Sequence, residues 1–355
     1  AVTKLNAGIS LVDLRNPQTA RWVLKPTVAY LWARTVVCKS CRATIPLLKT
    51  RWLCRTDTRR VVLEMMPNAA RDGVDFSVSG DLPEVPGNSA QRKAAYRVLG
   101  DGTMSRTGVT CPCCKGVMKM EDLRYEGQAG RLGSIMTSVV VDGPTGKEFR
   151  RPTDHELAVA DVTSTEVEAA FSNVPYGVPR DPLPSKEAPG IRLPLYGFAV
   201  WSDLFSSRQL LALGALVRLI RALPATLENF GYSYDWRVAI QALNVCGLSR
   251  LLDFLNTGVQ WKIDVPTINH SFARVALPIT WDFAEANVIG DRAGSYFLCL
   301  DRVATGVDTL DRWAIHSEGL NITRGSAMAI EGDFDAVVTR SEEHTSELQS
   351  RETIS

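Results

Sequence analysis

The sequence has no excess of either charge and contains few histidines. Its 40 lysines and arginines nearly balance 39 acidic residues, the formal net charge is +1, and only four histidines occur in 355 residues. A near-neutral chain lacks the global basic character of many nucleic-acid-binding proteins, so contact with nucleic acid would have to come from a local surface. With 45% hydrophobic and 22% charged residues, the composition is typical of globular domains that have their own cores.

Long apolar runs are also missing. The longest, from Leu210 to Leu223, contains Arg218 and Arg221 and stops before Pro224, so we expect it to be too short and too charged to span a bilayer. The first residues do not show the basic flank and apolar core of a secretion signal. We therefore expect a cytoplasmic protein without membrane association.

Several sequence motifs that would indicate an enzyme are absent as well. The sequence contains no Gly-x-Gly-x-x-Gly turn, no phosphate-binding loop and no nucleophile elbow. The histidines are isolated from one another, and His270 has no neighbouring carboxylate in the sequence. We interpret His270 as a structural histidine, so no catalytic group follows from the motifs.

What the chain does contain is two Cys-x-x-Cys pairs, Cys38-Lys-Ser-Cys41 and Cys111-Pro-Cys-Cys114, with 69 residues between them. Four thiolates from two such pairs make a closed tetrahedral zinc site, and we predict Cys38, Cys41, Cys111 and Cys114 as its ligands. The long separation costs only about 1 kcal/mol in loop entropy. Structural zinc supplies about 10–16 kcal/mol at neutral pH, so the metal easily offsets that cost.

The cysteines leave alternatives open. Cys113 is a spare thiol that can replace either neighbour as a ligand. The competing interpretations of the pairs are chance and a redox pair, which would be single and would begin a helix. We interpret Cys54, Cys246 and Cys299 as small buried side chains. A closed four-thiolate site is structural, so the zinc alone names no reaction.

Local patterns predict a β-rich module followed by a helical region. At the predicted zinc site, Lys39 and Arg42 beside the first cysteine pair would offset the negative charge of the four thiolates. The predicted strands are 27–37, 44–48 with 52–54, 60–65, a β-prone stretch at 131–150, and 334–339, with an exposed loop at 67–88. The predicted helices are 154–171, which begins at the capping box Thr153-Asp-His-Glu156, one starting near Asp203, 236–255 and 301–316. A proline-rich linker is expected at 174–195.

Two further segments are candidate sites. Arg51, Arg55, Arg59 and Arg60, with Trp52 among them, form either a phosphate-contacting strand face or an ordinary solvated surface. The run Trp281-Asp-Phe-Ala-Glu-Ala-Asn287 either lines a pocket or begins an amphipathic helix. We take Trp281, Asp282, Asn287 and Ser326 as candidate pocket or DNA-contacting residues.

Taken together, these segments resemble the adenine-specific DNA methylase family that carries an inserted zinc ribbon. The resemblance runs in order through about residues 25–339. The matching segments besides the cysteine pairs are Tyr30-Leu-Trp-Ala-Arg-Thr-Val, Ile45-Pro-Leu-Leu, Gly102-Thr-Met-Ser-Arg, Arg151-Pro-Thr, Trp201-Ser-Asp-Leu-Phe-Ser-Ser-Arg-Gln-Leu, Ala276-Leu-Pro-Ile-Thr-Trp-Asp-Phe-Ala-Glu-Ala-Asn287 and Phe334-Asp-Ala-Val-Val-Thr339.

The resemblance implies a Rossmann-like domain that binds S-adenosylmethionine and methylates an exocyclic nitrogen of a flipped base in DNA. Two family motifs carry that chemistry, a Gly-rich turn and an Asp-Pro-Pro-Tyr after the last matching strand. Neither is present, and Arg340-Ser-Glu-Glu stands where the second is expected. We therefore expect a fragment that is inactive alone. The target site, and whether defence-system proteins are partners, stay open.

Together with this resemblance, the sequence predicts an α/β fold, which the resemblance implies to be a partial Rossmann-like methyltransferase domain with an inserted β-rich zinc-ribbon module. The alternative is a non-catalytic zinc-ribbon module that binds nucleic acid or is purely structural. The predicted divisions are an N-terminal remnant at 1–26, the insert at 27–150, a helix and linker at 151–195, helices with a partial methyltransferase sheet at 196–339, and a disordered tail at 340–355. That tail resembles translated sequencing adapter and is excluded from the fold.

Overall fold

The described part of the chain is a mixed α/β structure, as the sequence predicts, and its main sheet is a curled half-barrel. The structure is a computed structural model that describes residues 25–80, 82–185, 187–188, 190–272 and 276–313. The predicted strand 334–339, the tail 340–355 and the candidate residue Ser326 lie outside these residues. They therefore stay predictions.

The main sheet is built around β1 (Thr27–Val37), whose β-branched and aromatic residues favour an extended chain and confirm the predicted strand. β8 (Gly133–Gly143) pairs with one edge of β1. β12 (Asp282–Ala286) and β2 (Thr44–Leu47) share the other edge, against the first and second halves of β1. β9 (Gly146–Arg150) extends the sheet beyond β8, and every pair is antiparallel.

Smaller sheets flank this one. A three-stranded sheet consists of β3 (Trp52–Arg55), β4 (Arg60–Pro67) and β5 (Val74–Ser79). The predicted loop at 67–88 is therefore wrong in its middle, because β5 pairs with β4 over six residue pairs. Two short antiparallel hairpins complete the strands, and their members are β6 (Gly108–Thr110) with β7 (Val117–Lys119), and β10 (Trp261–Lys262) with β11 (Thr267–Ile268).

The helices lie mainly after the sheet strands in sequence. They are α1 (Ser89–Gly100), α2 (Met120–Gln128), α3 (Asp154–Val159), α4 (Ser164–Phe171), α5 (Ser207–Asn229), α6 (Tyr234–Leu252) and α7 (Tyr296–Trp313). The helix predicted at 154–171 is two helices. The Thr153 capping box is confirmed, but a second box, in which Thr163 accepts from the Glu166 amide, starts a new helix ten residues later.

The run from Trp281 to Asn287 is a strand, so the suggested amphipathic helix start is wrong. Its central residues form β12, with Phe283, Ala284, Glu285 and Ala286 all buried. The acidic residues in this run suggested an amphipathic helix. Its backbone is instead extended, because it pairs with β1.

The core lies on both faces of the main sheet, because successive residues of β1 point in opposite directions. Leu31 packs in the cluster that the β3–β5 sheet covers, with Leu53 and Leu63. Trp32 packs on the opposite face and stacks near Phe283, with ring centroids 6.4 Å apart. A third cluster joins α4, α5, α6 and α7.

One described helix, α5, passes the length and composition test for a membrane-crossing helix, with 23 residues and a mean hydropathy of 1.7. α5 extends beyond both ends of the apolar run from Leu210 to Leu223. Leu210, Leu213 and Ile220 on α5 are buried in the helical cluster, while 22% of the apolar window as a whole is buried. The cellular location stays a prediction.

The Rossmann-like sheet also stays a prediction. Rossmann folds have a mostly parallel sheet, whereas every ladder between named strands in the described residues is antiparallel. The pairing of β1 with β12 also places residues 282–286 in the same sheet as strands from the predicted insert. The predicted insert and the later region therefore share one core.

A buried ion pair connects that sheet to α5. Arg208 donates to both carboxylate oxygens of Glu285 at 2.8 Å, and to the Ala160 carbonyl at 2.9 Å. Its guanidinium also lies over the Trp32 ring, 3.8 Å from the centroid. The Glu285 side chain is only 7% exposed. Removing one partner of such a pair lowers the stability of the fold, because the other partner then keeps a buried charge without a counter-ion.

We predict that Glu285→Gln lowers the free energy of unfolding by about 3 kcal/mol, because Arg208 then keeps a buried charge without its acid. Urea denaturation monitored by circular dichroism measures the change. The matched control is Glu126→Gln, which breaks the exposed pair of Glu126 with Arg131 and should cost less than about 1 kcal/mol. Equal losses for the two variants would contradict the assignment.

Candidate metal centre

The first cysteine pair lies in the turn between β1 and β2. The Cys38 amide donates to the Ala43 carbonyl at 2.8 Å, and the Arg42 amide donates back to the Cys38 carbonyl at 3.0 Å. Arg42 has φ 66°, the left-handed conformation that closes the turn. These bonds direct Cys38 and Cys41 toward the same side of the turn.

The second pair lies in the turn between β6 and β7 and repeats this pattern. The Cys111 amide donates to the Gly116 carbonyl at 2.9 Å, and the Lys115 amide donates to the Cys111 carbonyl at 3.0 Å. Lys115 has φ 63°. Both turns therefore use a Cys-x-x-Cys followed by one left-handed basic residue, and the same backbone bonds form in each.

The two turns bring four sulfurs together. All four Sγ atoms lie within 4.8 Å of one another, with Cys38 to Cys114 at 3.8 Å and Cys41 to Cys111 at 3.7 Å. A tetrahedron of thiolates about 2.3 Å from a central zinc has edges of about 3.8 Å, whereas disulfide sulfurs are about 2.05 Å apart. The spacing therefore fits a shared cation, and all four cysteines are free.

The cluster is embedded in apolar packing on one side and open to solvent on the other. Cys38 and Cys111 are buried, while Cys41 and Cys114 are exposed. The buried pair packs with a cluster that joins β2, β6, β7 and α2, and its central members are Ile45, Val109, Met118 and Leu123. The hairpins are thus positioned by hydrophobic contacts as well as by the sulfurs.

The thiols of the cluster have perturbed pKa values. Burial acts to raise the pKa of Cys38, but the backbone amides of Cys41 and Ser40 outweigh it and bring that pKa to about 7. The Ala43 amide lowers the pKa of Cys41, yet partial desolvation and the neighbouring sulfurs raise it to about 12. Burial raises the pKa of Cys111 as well. A bound cation would replace these protons, because it stabilises thiolates directly.

Contacts around the cluster fix the two turns to each other and to α2. Lys39 Nζ lies 2.6 Å from Asp122 Oδ2 on α2, so Lys39 pairs with an acid as well as lying beside the sulfurs. Gly116 donates its amide to Cys114 Sγ at 3.4 Å. A Cβ at Gly116 would lie 3.3 Å from both Cys114 Sγ and Ser40 Oγ, so a larger residue there would crowd the facing turn.

The remaining cysteines are outside the cluster. Cys113 is not one of the four clustered cysteines; its S–H donates to the Gly73 carbonyl at 3.3 Å, and its side chain also contacts that of Cys111. Cys54 and Cys299 are buried, as predicted, but Cys246 is exposed, so that prediction is wrong. Cys246 lies on α6, whose apolar residues are not confined to one buried face.

The three candidate pocket residues within the described part of the chain, Trp281, Asp282 and Asn287, do not line a common cavity. Trp281 is buried against Tyr196, with ring centroids 5.1 Å apart at 90°. Asn287 donates its side-chain amide to the Thr27 carbonyl at 2.9 Å and so ties β12 to the start of β1. Asp282 lines a small cavity of about 190 Å³ with Lys49 and Trp261.

The arginine-rich strand face is engaged in internal contacts. Trp52 is buried. Arg51 donates to the carbonyls of Asp101 and Leu99, both at 2.8 Å. Arg60 lies 5.5 Å from the centre of the Tyr96 ring, and these bonds join β3 and β4 to the end of α1.

His270 has a partner that the sequence did not reveal. Its Nδ1 lies 3.3 Å from Asp253 Oδ2, seventeen positions earlier in the chain. The His270 ring also lies 6.0 Å from the ring of Phe254. These contacts agree with a structural histidine.

Sequence reasoning missed the equivalence of the two turns, although a signal was present. Aligned on their first cysteines, the turns read Cys-Lys-Ser-Cys-Arg-Ala and Cys-Pro-Cys-Cys-Lys-Gly. The fifth position is basic in both, and it is the left-handed residue in the structure.

Models of known protein families, curated proteins and solved structures were all compared with this chain, and none matches.

We predict that Cys38→Ser or Cys114→Ser abolishes stoichiometric zinc binding, since a three-thiolate remnant loses both charge and closed geometry. Elemental analysis of the purified chain should give one zinc for the native sequence and much less for either variant. Cys246→Ser, an exposed thiol outside the cluster, is the control and should keep one zinc. A metal-free native protein that is fully folded would contradict the assignment.

The buried carboxyl of Asp282 gives a pH-dependent prediction. Burial raises its pKa to about 6, and the nearby Lys49 lowers it only in part. The unfolded chain has an aspartate pKa of about 3.9, so the folded state binds more protons between about pH 4 and 6 and loses stability as pH rises through that window. The charged form at pH 7 therefore destabilises the fold.

Asp282→Asn should remove this penalty and gain up to about 2 kcal/mol in unfolding free energy at pH 7, with little gain at pH 4. Urea denaturation at several pH values between 4 and 7 measures the difference. Asp57→Asn, at an exposed acid, is the control and should follow the native pH profile. A pH-independent difference for Asp282→Asn would contradict the proposed titration.

Proposed function

We propose that Cys38, Cys41, Cys111 and Cys114 hold one structural zinc ion that joins the β1–β2 and β6–β7 turns. The observation that carries this proposal is the set of four free sulfurs within 4.8 Å of one another. Soft thiolate ligands in a tetrahedron favour zinc or iron–sulfur chemistry, and two Cys-x-x-Cys turns are typical of zinc ribbons. Four protein ligands leave no open position for substrate, so the ion's role would be structural.

We further infer that the chain is part of an S-adenosylmethionine-dependent DNA methyltransferase, acting on adenine. The support is the ordered resemblance of segments from Tyr30 to Thr339 to the DNA methylase family with an inserted zinc ribbon. In such an enzyme a methyl group passes from the cofactor's sulfonium to the N6 amine of a flipped adenine. The Gly-rich turn and the Asp-Pro-Pro-Tyr would belong to a longer protein.

In this proposal the zinc supports the enzyme and takes no part in the methyl transfer. It closes the two turns at the end of β1, and β1 also pairs with β12. Loss of the metal would therefore loosen one end of the sheet on which the later segments are built.

The alternative is a zinc module without catalysis, either structural or binding nucleic acid. The closed coordination favours a structural module. The contacts of Arg51, just before β3, with two backbone carbonyls disfavour a phosphate contact by Arg51, because those donors already have acceptors. A DNA-binding module would show affinity that falls steeply with salt, while S-adenosylmethionine would give no thermal stabilisation.

We predict that the longer protein whose reading frame contains this chain transfers a tritiated methyl group from S-adenosylmethionine to adenine in duplex DNA. The 355-residue chain alone should transfer none, because it contains no Asp-Pro-Pro-Tyr. Scintillation counting of recovered DNA, followed by nucleoside analysis, measures the product.

A duplex of poly(dG)·poly(dC), which has no adenine, is the matched substrate control and should stay unlabelled. Failure of the longer protein to label any adenine-containing duplex would overturn the methyltransferase proposal. Robust labelling by residues 1–339 would overturn the claim that this chain lacks the catalytic parts.

A further inference from the structure

Arg34 is a charged residue in the middle of β1, half-buried in the protein. Its Nε donates to the Thr280 carbonyl at 2.9 Å, and its Nη2 donates to Thr257 Oγ1 at 2.8 Å. The guanidinium also lies over two aromatic rings, 4.8 Å from the centre of Phe198 and 5.4 Å from the centre of Phe283. All of these partners are neutral.

No carboxylate of the described residues lies within ion-pair distance of Arg34, although other half-buried arginines have one. Arg208 pairs with Glu285, and Arg150 pairs with Glu156. A guanidinium has five N–H groups, and within the described residues two of those on Arg34 have acceptors, so three are left for a ligand. Burial without an acid lowers the pKa of Arg34 to about 10, which still leaves it charged at neutral pH. A buried charge of this kind calls for a counter-ion.

Arg34 lines two cavities. The described lining of the larger one, of about 620 Å³, includes Glu168 and Asp203, whereas that of the other, of about 440 Å³, contains no aspartate or glutamate. Thr257 and Thr280, the hydrogen-bond partners of Arg34, line the same cavity. The side chains of Gln260 and Asn269 line it too, and no hydrogen bond of either side-chain amide is found within the described part of the chain. A volume of this size lies in the range of small-molecule sites, which are about 300–1,000 Å³.

Asp253, the acid that contacts the lining residue His270, already has other partners. Asp253 lies beside His270, whose Nδ1 is 3.3 Å from its carboxylate, and it also accepts from the Phe272 amide at 2.6 Å. The lining therefore presents a guanidinium, two amides and a histidine without an opposing carboxylate. Such a set favours an oxyanion, because arginine binds planar or tetrahedral oxyanions through parallel N–H bonds.

We propose that this cavity, lined by Arg34, Thr257, Gln260, Asn269 and Thr280, binds the oxyanion group of a small molecule, a phosphate or a carboxylate, through the Arg34 guanidinium. The proposal does not depend on zinc or on methyl transfer. The competing explanation is that Phe198 and Phe283 alone compensate the charge through cation–π contacts. That explanation predicts no anion binding.

Isothermal titration of the full 355-residue chain with inorganic phosphate and with acetate, against sodium chloride at equal ionic strength, tests the proposal. At least one oxyanion should bind with one site per chain and a dissociation constant of about 1 mM or tighter. Titrations with adenosine 5′-monophosphate and with adenosine then show whether the bound oxyanion is part of a nucleotide or a free ion. Tighter binding of the monophosphate than of phosphate indicates a nucleotide, and equal binding indicates the free anion. Adenosine binding as tightly as its monophosphate would overturn the proposal.

Two variants assign the binding to Arg34. Arg34→Met keeps the aliphatic packing between the rings and should weaken binding about tenfold or more, since a charge-assisted contact is lost. Asn269→Asp places an acid in the lining without changing its shape, so it should weaken binding to a similar extent by repelling the anion. It keeps the proposal testable if Arg34→Met does not fold.

Arg221→Met, at an exposed arginine of α5, is the matched control and should bind the anion like the native chain. Thermal melts of each variant show that it is folded before titration. Unchanged affinity in folded Asn269→Asp, or absence of binding for both phosphate and acetate, would overturn the proposal.

Discussion

The pairing of β1 with the neighbouring strand β2 and with two distant strands, β8 and β12, is the interaction on which the rest of the structure depends. β2, β8 and β12 begin at residues 44, 133 and 282, and each pairs with β1 through antiparallel backbone bonds. Loop closure over such distances costs entropy, so the sheet needs the apolar packing on its two faces to be stable. Cys38 follows β1 directly, and Arg34 lies within it, so both candidate sites take their geometry from this strand.

Buried charge is handled in two different ways beside that strand. Arg208 has a bidentate partner in Glu285, the Ala160 carbonyl and the face of Trp32. Arg34 has only neutral oxygens and two rings. The first arrangement is complete within the protein and connects the sheet to the helices. The second has no acid within ion-pair distance among the described residues and lines a cavity without acids, which is why we assign a ligand to Arg34 and a structural role to Arg208.

Features that depend on neighbouring residues were predictable from the sequence. Strand β1, the two cysteine turns and the Thr153 capping box each follow from a few adjacent side chains. Features that depend on distant partners were not. β5 forms within a Pro- and Gly-rich stretch because β4 pairs with it, and β12 is extended because β1 pairs with it. The setting of Arg34 is made by Phe198, Thr257 and Thr280, more than 160 positions away, so no local pattern announces it. The family resemblance and the segments beyond residue 313 stay predictions.

The central claim is that two hairpin turns share one zinc through four thiolates. Their backbone bonds repeat residue by residue, and the sulfur spacing matches a tetrahedron around a cation. Zinc K-edge X-ray absorption on the purified chain tests this most directly. The account predicts a single shell of four sulfurs at about 2.3 Å from the metal. A shell that contains nitrogen or oxygen, or fewer than four sulfurs in the folded protein, would contradict it.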